Sequence, residues 1–372
     1  MMCLFIFIDN KISKKIGGST LFLIAVSFIV FSLFFKPQNF IRWDLLEHFK
    51  LLNNMRLGGF NYATNESQYS DLFIYNYFVY FISLLPSKCQ NLLTAIPLAI
   101  DFIIVGYIYK KTFSVHLPDT SGKTKLLAIM LWLFTFGIKL AISGIRCSLA
   151  VSIAVLAIYL EMIQKKKKVF SILLYFTAIF IHNFAIVIIF VRLLAIFRHP
   201  IIIMISSLGI SSSLAYIARF IVNNISNTYL SFSFQRILDT ITDMSLSNAL
   251  QQYSTTALIT YMCFIILSVY LFIIATKESQ NHKEDGYCKN VVNFASTVGA
   301  VAIGLSFNYL YLERYMYLVS FALLMIVPIH NKNNDKISIE NAVIVPLSLF
   351  AFFFNDIYIF MVNYVGRYFL AF

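Results

Sequence analysis

The feature that most constrains this chain is the recurrence of charge-poor apolar runs about as long as a bilayer is thick. Leu21–Phe35 carries no charge at all, and crossing the hydrocarbon core takes roughly 20 mostly apolar residues, within a range of about 17–25. Such runs fall near 19–35, 91–109, 126–142, 145–162, 169–184, 185–198, 201–219, 256–276, 291–310, 314–329 and 342–362, which makes about eleven expected transmembrane helices. Each must be helical, because lipid offers no partner for a free backbone N–H or C=O. Barrel strands alternate every second residue over about 10 positions, and Leu21–Phe35 shows no such alternation. The expected fold is an all-α polytopic integral membrane protein, a single transmembrane domain over 1–372. The first run follows Lys11, Lys14 and Lys15 and ends without a small-residue cleavage site, so it reads as a retained anchor and not a cleaved signal.

Composition excludes the soluble classes. Apolar residues make up 59% and charged residues 12% of the chain, against about 25% charged in a soluble domain. Too little polar surface remains to coat a water-facing globule, so a soluble enzyme, a disordered chain and a coiled coil are excluded. The five cysteines, at 3, 89, 147, 263 and 288, show no paired spacing and suggest neither a disulfide framework nor a zinc site. There is no phosphate-binding glycine loop, HExxH, CxxC or GxSxG, which argues against an ATP-driven pump or a metalloprotease. No metal and no cofactor is expected.

The formal net charge is +12. In a soluble chain that would suggest nucleic acid; here it is explained by topology, since lysines and arginines concentrate on the cytoplasmic side of a polytopic protein. Sixteen of the 20 lysines fall in five clusters: Lys11/14/15, Lys110/111 with Lys123/125, Lys165–Lys168, Lys277/283/289 and Lys332/336. Placing these inside puts the N-terminus in the cytoplasm. Residues 36–90 then form a first periplasmic loop with amphipathic helices, and 218–255 a long periplasmic loop. Parity allows one crossing between 36 and 110, so 72–86 is expected as an amphipathic or re-entrant outer helix, short and rich in Tyr.

The arginines break this pattern. Seven of the nine fall outside or at the outer edge: Arg42, Arg56, Arg146, Arg219, Arg236, Arg314 and Arg367. Guanidinium is a planar fork that meets phosphate oxygens bidentately, where lysine is only a point charge. Any one of these arginines could pair with an outer acid such as Asp44, Glu47 or Glu313; the set as a whole points to an anionic ligand such as a lipid pyrophosphate or an acidic sugar.

Four constellations could carry chemistry. Arg146 opens a helix ahead of Ala150, Ala154 and Ala157, a narrow face that lets a neighbour approach. His182 closes the following span; the hairpin turns at Lys165–Lys168, which returns His182 to the depth of Arg146. In the first loop Asp44, Glu47 and His48 stand at i, i+3 and i+4, and a carboxylate there could take a proton from a sugar hydroxyl. The turn Tyr309–Tyr317 holds Glu313, Arg314 and Tyr315. Its tyrosines fit an interfacial belt as well as stacking on sugar rings.

An arginine at the outer end of a span, a lysine-rich turn about 20 residues later, Phe180-Ile-His182 closing the next span and the Glu313-Arg314-Tyr315 turn together resemble the EpsG family, Wzy-like polysaccharide polymerases of bacterial surface-glycan clusters. Asn183 stands where that family often has a small hydroxyl residue. The first loop separately resembles membrane glycosyltransferases of the GT-C type, with Asp44, Gly58-Gly59 and 72–86 in the places of the outer acid, the glycine-ended helix and the second outer helix. These resemblances imply a glycosyltransferase of the bacterial inner membrane that joins undecaprenyl-pyrophosphate-linked oligosaccharide repeat units into O-antigen or capsule chains at its periplasmic face. Asp44 and His182 would be catalytic. Arg146, Arg314, Arg42, Arg236, Glu313 and Tyr315 would hold pyrophosphate or glycan. Membrane lipid, a Wzz-like chain-length regulator and a flippase are the implied partners, with no nucleic acid. The competing readings are a flippase or transporter of the lipid-linked repeat, an O-antigen ligase and an acyltransferase.

Overall fold

The computed structural model describes residues 10–35, 44–66, 72–137, 141, 142, 144–166, 168–224, 255–281, 286–331 and 339–353. Among these every regular element is a helix. In chain order they are α1 (Asn10–Phe34), α2 (Asp44–Asn61), α3 (Phe73–Ser83), α4 (Leu92–Lys111), α5 (Gly122–Phe136), α6 (Ile145–Ile158), α7 (Lys168–Ile181), α8 (Phe184–Leu194), α9 (Pro200–Asn224), α10 (Thr255–Asn281), α11 (Gly286–Gly304), α12 (Tyr309–His330) and α13 (Ile339–Phe352). Wide turns extend α2 to Glu66, α4 to His116 and α6 to Ile163.

Five helical stretches are long and apolar enough to cross a bilayer: Ser87–His116, Ile145–Ile163, Leu258–Asn281, Gly286–Phe307 and Tyr311–His330. They coincide with five of the eleven expected spans. Those at 19–35, 169–184, 185–198, 201–219 and 342–362 meet shorter apolar helices among the described residues. The run at 126–142 is helical as far as Phe136. Large apolar side chains face outward on several of these helices, including Phe22, Leu23, Phe34, Val169, Leu173, Phe176, Ile201 and Ile205. In water such a surface would drive association; on this chain it is the surface a bilayer covers.

The interior is built around α12, whose apolar window is 94% buried. A helix that is apolar on every side needs neighbours on every side, and α5, α11, α10 and α6 supply them. The next most enclosed span, α6, packs on α7, α4, α8 and α12. Close approach depends on small residues: a Cβ on Gly299 of α11 would lie 2.8 Å from the backbone nitrogen of Phe272 on α10, so only glycine lets these backbones come that near.

The two ends of the bundle differ in chemistry. At one end Lys125 lies over the Phe113 ring, Thr112 meets the Tyr287 hydroxyl at 2.9 Å, and Asn290 reaches the Ile163 carbonyl just before Lys165–Lys168. Lys110, Lys111, Lys125, Lys165 and Lys289 therefore gather here. At the other end lie the starts of α6, α8 and α12, with α2 and α3. The α3 helix has 11 residues, about 16 Å of rise, too short to cross a bilayer. It packs on α2 and α7, with the Phe73 and Phe180 rings 4.4 Å apart.

Replacing Gly299 by Ala should lower the thermal midpoint of the detergent-purified protein, with a cost of about 1–3 kcal/mol for the forced helix separation. Gly286→Ala, where an added Cβ meets nothing within 4 Å, should leave it within error.

Candidate functional site

The arginine end holds a cluster drawn from five helices. On α2 the apolar positions Leu45, Leu51, Leu52 and Met55 turn inward and carry His48 with them, 1% exposed. Asp44 and Glu47 point to the surface, where Glu47 pairs with Lys50 at 2.7 Å. The helix kinks at Gly59, whose φ of 61° suits glycine. The chain then returns as α3, pinned by the Asn76 amide donating to the Ala63 carbonyl.

This return places Tyr75 between two chains of contacts. Its hydroxyl lies 2.9 Å from Nδ1 of His48, and the two rings meet edge to face at 5.4 Å. On its other side the Arg146 guanidinium lies over the Tyr75 ring, 5.3 Å from the centroid. Cation–π contact is strongest where water is excluded, and Tyr75 is 1% exposed. Burial, and then the charge of Arg146, hold the His48 imidazole well below its usual value. The neutral imidazole and the Tyr75 hydroxyl share this hydrogen bond, which either group can donate.

His182 forms the break between α7 and α8. Its Nδ1 accepts from the Phe184 backbone N–H at 3.0 Å, which satisfies one of the orphan donors at the start of α8. That bond also fixes the tautomer: with Nδ1 accepting, Nε2 bears hydrogen and can only donate. His182 lies within electrostatic reach of Arg146, Arg314 and His48. Cys147, buried at the start of α6, lies within reach of Arg314, Arg146, Asp44 and Asp101. The structure thus brings Arg146, His182 and Arg314 together, with Asp44 on the exposed rim.

Helix geometry deepens the positive potential. The N-termini of α6, α8 and α12 all open on this end, and each contributes roughly half a positive charge. Gly144 supplies no side-chain cap to α6; Asn308 caps α12 by accepting from the Tyr311 N–H. Arg146 and Arg314 lie in the first and second turns of their helices, where the dipole adds to the cost of a cation and to the gain from an anion.

Not every expected residue shares this position. Glu313 and Tyr315 are buried, and the Tyr315 hydroxyl has no hydrogen-bond partner among the described residues. Arg42, Arg236 and most of the 218–255 loop lie outside the described residues. The pairing of His48 with Tyr75 was not foreseen from sequence; the available signals were the histidine four residues after Asp44 and the tyrosine-rich 72–86 stretch. Arg56 is a further candidate: its Nε and Nη2 atoms are buried without a partner among the described residues, and it stands eight residues past His48 on the same side of α2.

The family model described as "EpsG family" matches residues 46–368, nearly the whole described bundle. The chain belongs to the EpsG family. The match takes in His48, Tyr75, Arg146, His182 and Arg314 and begins just after Asp44 and Arg42. No curated protein and no solved structure gives a match. EpsG-family membership makes this a polysaccharide-polymerase-like membrane protein.

Because His48 stays neutral when buried and is protonated near its usual 6.5 when the chain is unfolded, the unfolded state binds more protons at low pH. The stability that His48 contributes is therefore present above about pH 6.5 and declines as pH falls below it. Backbone hydrogen exchange over 44–61 should accelerate below that pH, and Tyr75→Phe, which strands Nδ1, should raise exchange there by the equivalent of about 1–3 kcal/mol at pH 8.

Proposed function

We propose that this EpsG-family protein is a glycosyltransferase that polymerises undecaprenyl-pyrophosphate-linked oligosaccharide repeat units at the periplasmic face of the bacterial inner membrane. In this reading the short apolar helices complete about eleven spans on a GT-C-like plan, and the lysine end is cytoplasmic. The observation that carries it is the convergence of Arg146, Arg314 and His182, whose Nε2 bears hydrogen, at one end of the bundle. Such a set offers donors and positive charge, the requirement for a leaving pyrophosphate.

The reaction forms a bond between the acceptor hydroxyl oxygen and the anomeric carbon of the growing chain, and breaks the bond from that carbon to pyrophosphate. Charge builds on the leaving oxygen as the bond breaks. Preorganised guanidinium and imidazole N–H groups stabilise that charge without having to reorganise. Arg146 and Arg314 hold the pyrophosphate, and His182 donates from Nε2; the tautomer set by Phe184 moves His182 from the role of a base to that of a donor. Asp44, exposed on the rim, receives the proton of the acceptor hydroxyl. Arg42, Arg236, Glu313 and Tyr315 are assigned to holding pyrophosphate or glycan. A Wzz-like regulator and a flippase act beside it.

In purified protein given a defined lipid-linked repeat, Arg146→Ala and Arg314→Ala should each cut polymer formation at least about a hundredfold, while the single-repeat substrate persists. Arg146→Lys should restore little, since lysine cannot make the bidentate contact. A normal ladder from either well-expressed alanine variant would sink the reading.

A further inference from the structure

Helices α1 and α4 are joined at the arginine end and leave a groove toward the lysine end. Where they are joined, the Asn91 side-chain amide donates to the Leu33 carbonyl at 2.6 Å and the Thr94 hydroxyl to the Ser32 carbonyl at 3.4 Å. Farther in, the Phe28 and Phe102 rings stack with centroids 6.4 Å apart. The groove then runs from Ile29 to Gly18 on α1 and from Ala99 to Lys110 on α4, with a volume of about 530 Å³. Small residues open it: Ala25 and Ala99, then Gly18 and Gly106, where an added Cβ would meet nothing within 4 Å.

Its length suits a lipid chain. Ile29 and Gly18 are eleven residues apart, about 16 Å of helix rise, and one leaflet contributes about 15 Å to a hydrocarbon core about 30 Å thick. Phe22, Val26 and Ile103 on the rim are exposed, so the groove opens on the surface that lipid covers. A chain that moves from bilayer to groove gains nothing from the hydrophobic effect, because both surroundings are apolar. An empty groove, however, forfeits its dispersion contacts. Shape therefore favours a chain as occupant, and the end of the groove selects which lipid that chain belongs to.

That end is positive. Lys110 and Ser114, about one turn apart, are both exposed at it, and Lys110 has no acidic partner among the described residues. Lys111 lies beside it, over the Tyr107 ring at 5.9 Å from the centroid. On α1, Lys14 and Lys15 stand about one turn before Gly18. None of the described residues that line the groove is acidic: Asp101 lies beside Ser148 and Ser152 of α6, and Asp119, beyond Ser114, is not part of the lining. Basic pockets between helices at the membrane surface recognise acidic lipid head groups, and a lysine there keeps its stem in the apolar layer and its ammonium at the phosphates.

We propose that the α1–α4 groove is a binding site for an anionic glycerophospholipid, with one acyl chain in the groove and the lipid phosphate on Lys110 and the Ser114 hydroxyl. The site is separate from the arginine end and rests on neither the polymerase reading nor the orientation of the chain in the membrane. A lipid with its phosphate among the arginines would carry it at the other end of α4, about 27 Å away over the eighteen residues from Leu92 to Lys110.

Trp132 provides the test. Its ring meets Phe102, which lines the groove, edge to face at 5.5 Å. The chain has two tryptophans, so Trp43→Phe leaves Trp132 as the single emitter. This full-length protein is placed in phosphatidylcholine nanodiscs with a rising fraction of brominated phosphatidylglycerol or brominated phosphatidylcholine, bromine on the acyl chain acting as a contact quencher. Half-maximal quenching should need an at least about threefold lower fraction of the anionic lipid. In the same background Lys110→Gln should make the two lipids equivalent within error, and Gly106→Leu, which fills the groove, should abolish the selective quenching. Equal quenching by the two lipids in the Trp43→Phe protein overturns the proposal whether or not either further variant folds. So does selectivity that survives either substitution in a folded variant. Relief of the quenching by unbrominated polyprenyl phosphate at a lower fraction than by unbrominated phosphatidylglycerol also overturns it, since the groove would then hold an isoprenoid.

Discussion

Everything at the arginine end follows from the cost of holding guanidinium groups at the level of a bilayer. Arg146 opens α6, where the helix dipole already concentrates positive potential, and Arg314 does the same one turn into α12. Water cannot dilute that charge, so the surrounding helices arrange themselves to bear it. Tyr75 offers the face of its ring, His48 is kept neutral by burial and by Arg146, and His182 turns its acceptor nitrogen toward the α8 backbone. Positive charge is left concentrated at this end, a condition that a phosphate-bearing ligand relieves.

The lysine end solves the same problem by pairing. Glu161 accepts from Arg192 and from the Tyr175 hydroxyl, and Glu278 meets His330 at 2.8 Å. These contacts tie α6 to α7 and α8, and α10 to α12. A transporter of lipid-linked repeats needs charged groups along a route joining both faces. Here the named interior charges at the lysine end are committed to one another. The asymmetry between an end of paired charges and an end of gathered donors favours chemistry at a single face.

Much of this could be read from residue spacing. The hairpin length on either side of Lys165–Lys168 returns His182 to the level of Arg146, because helix rise is constant; Arg314 reaches the same cluster through α12. The role of His182 could not be read this way, since its tautomer depends on the Phe184 N–H at the break between two helices. Tyr75 escaped notice because its importance lies in contacts with residues 27 positions before and 71 after it in the chain. Asp101 was legible as a charge inside an apolar run, but its place beside Ser148 and Ser152 was not. Five of the expected spans appear as helices of full crossing length, while other apolar runs are divided into shorter helices by breaks such as His182-Asn183 that hydropathy averages over.

The sequence by itself determined that this chain is helical and belongs in a membrane, because 59% apolar residues gathered in long runs leave no other way to satisfy the backbone. It also determined the separation of lysine from arginine, and with it where to look for a site. Tertiary structure alone decided that Nδ1 of His182 accepts from the α8 backbone, which ring lies beneath Arg146, and that Tyr75 meets His48. Those outcomes depend on distances of a few ångströms between residues remote in sequence, and neither hydropathy nor periodicity carries that information.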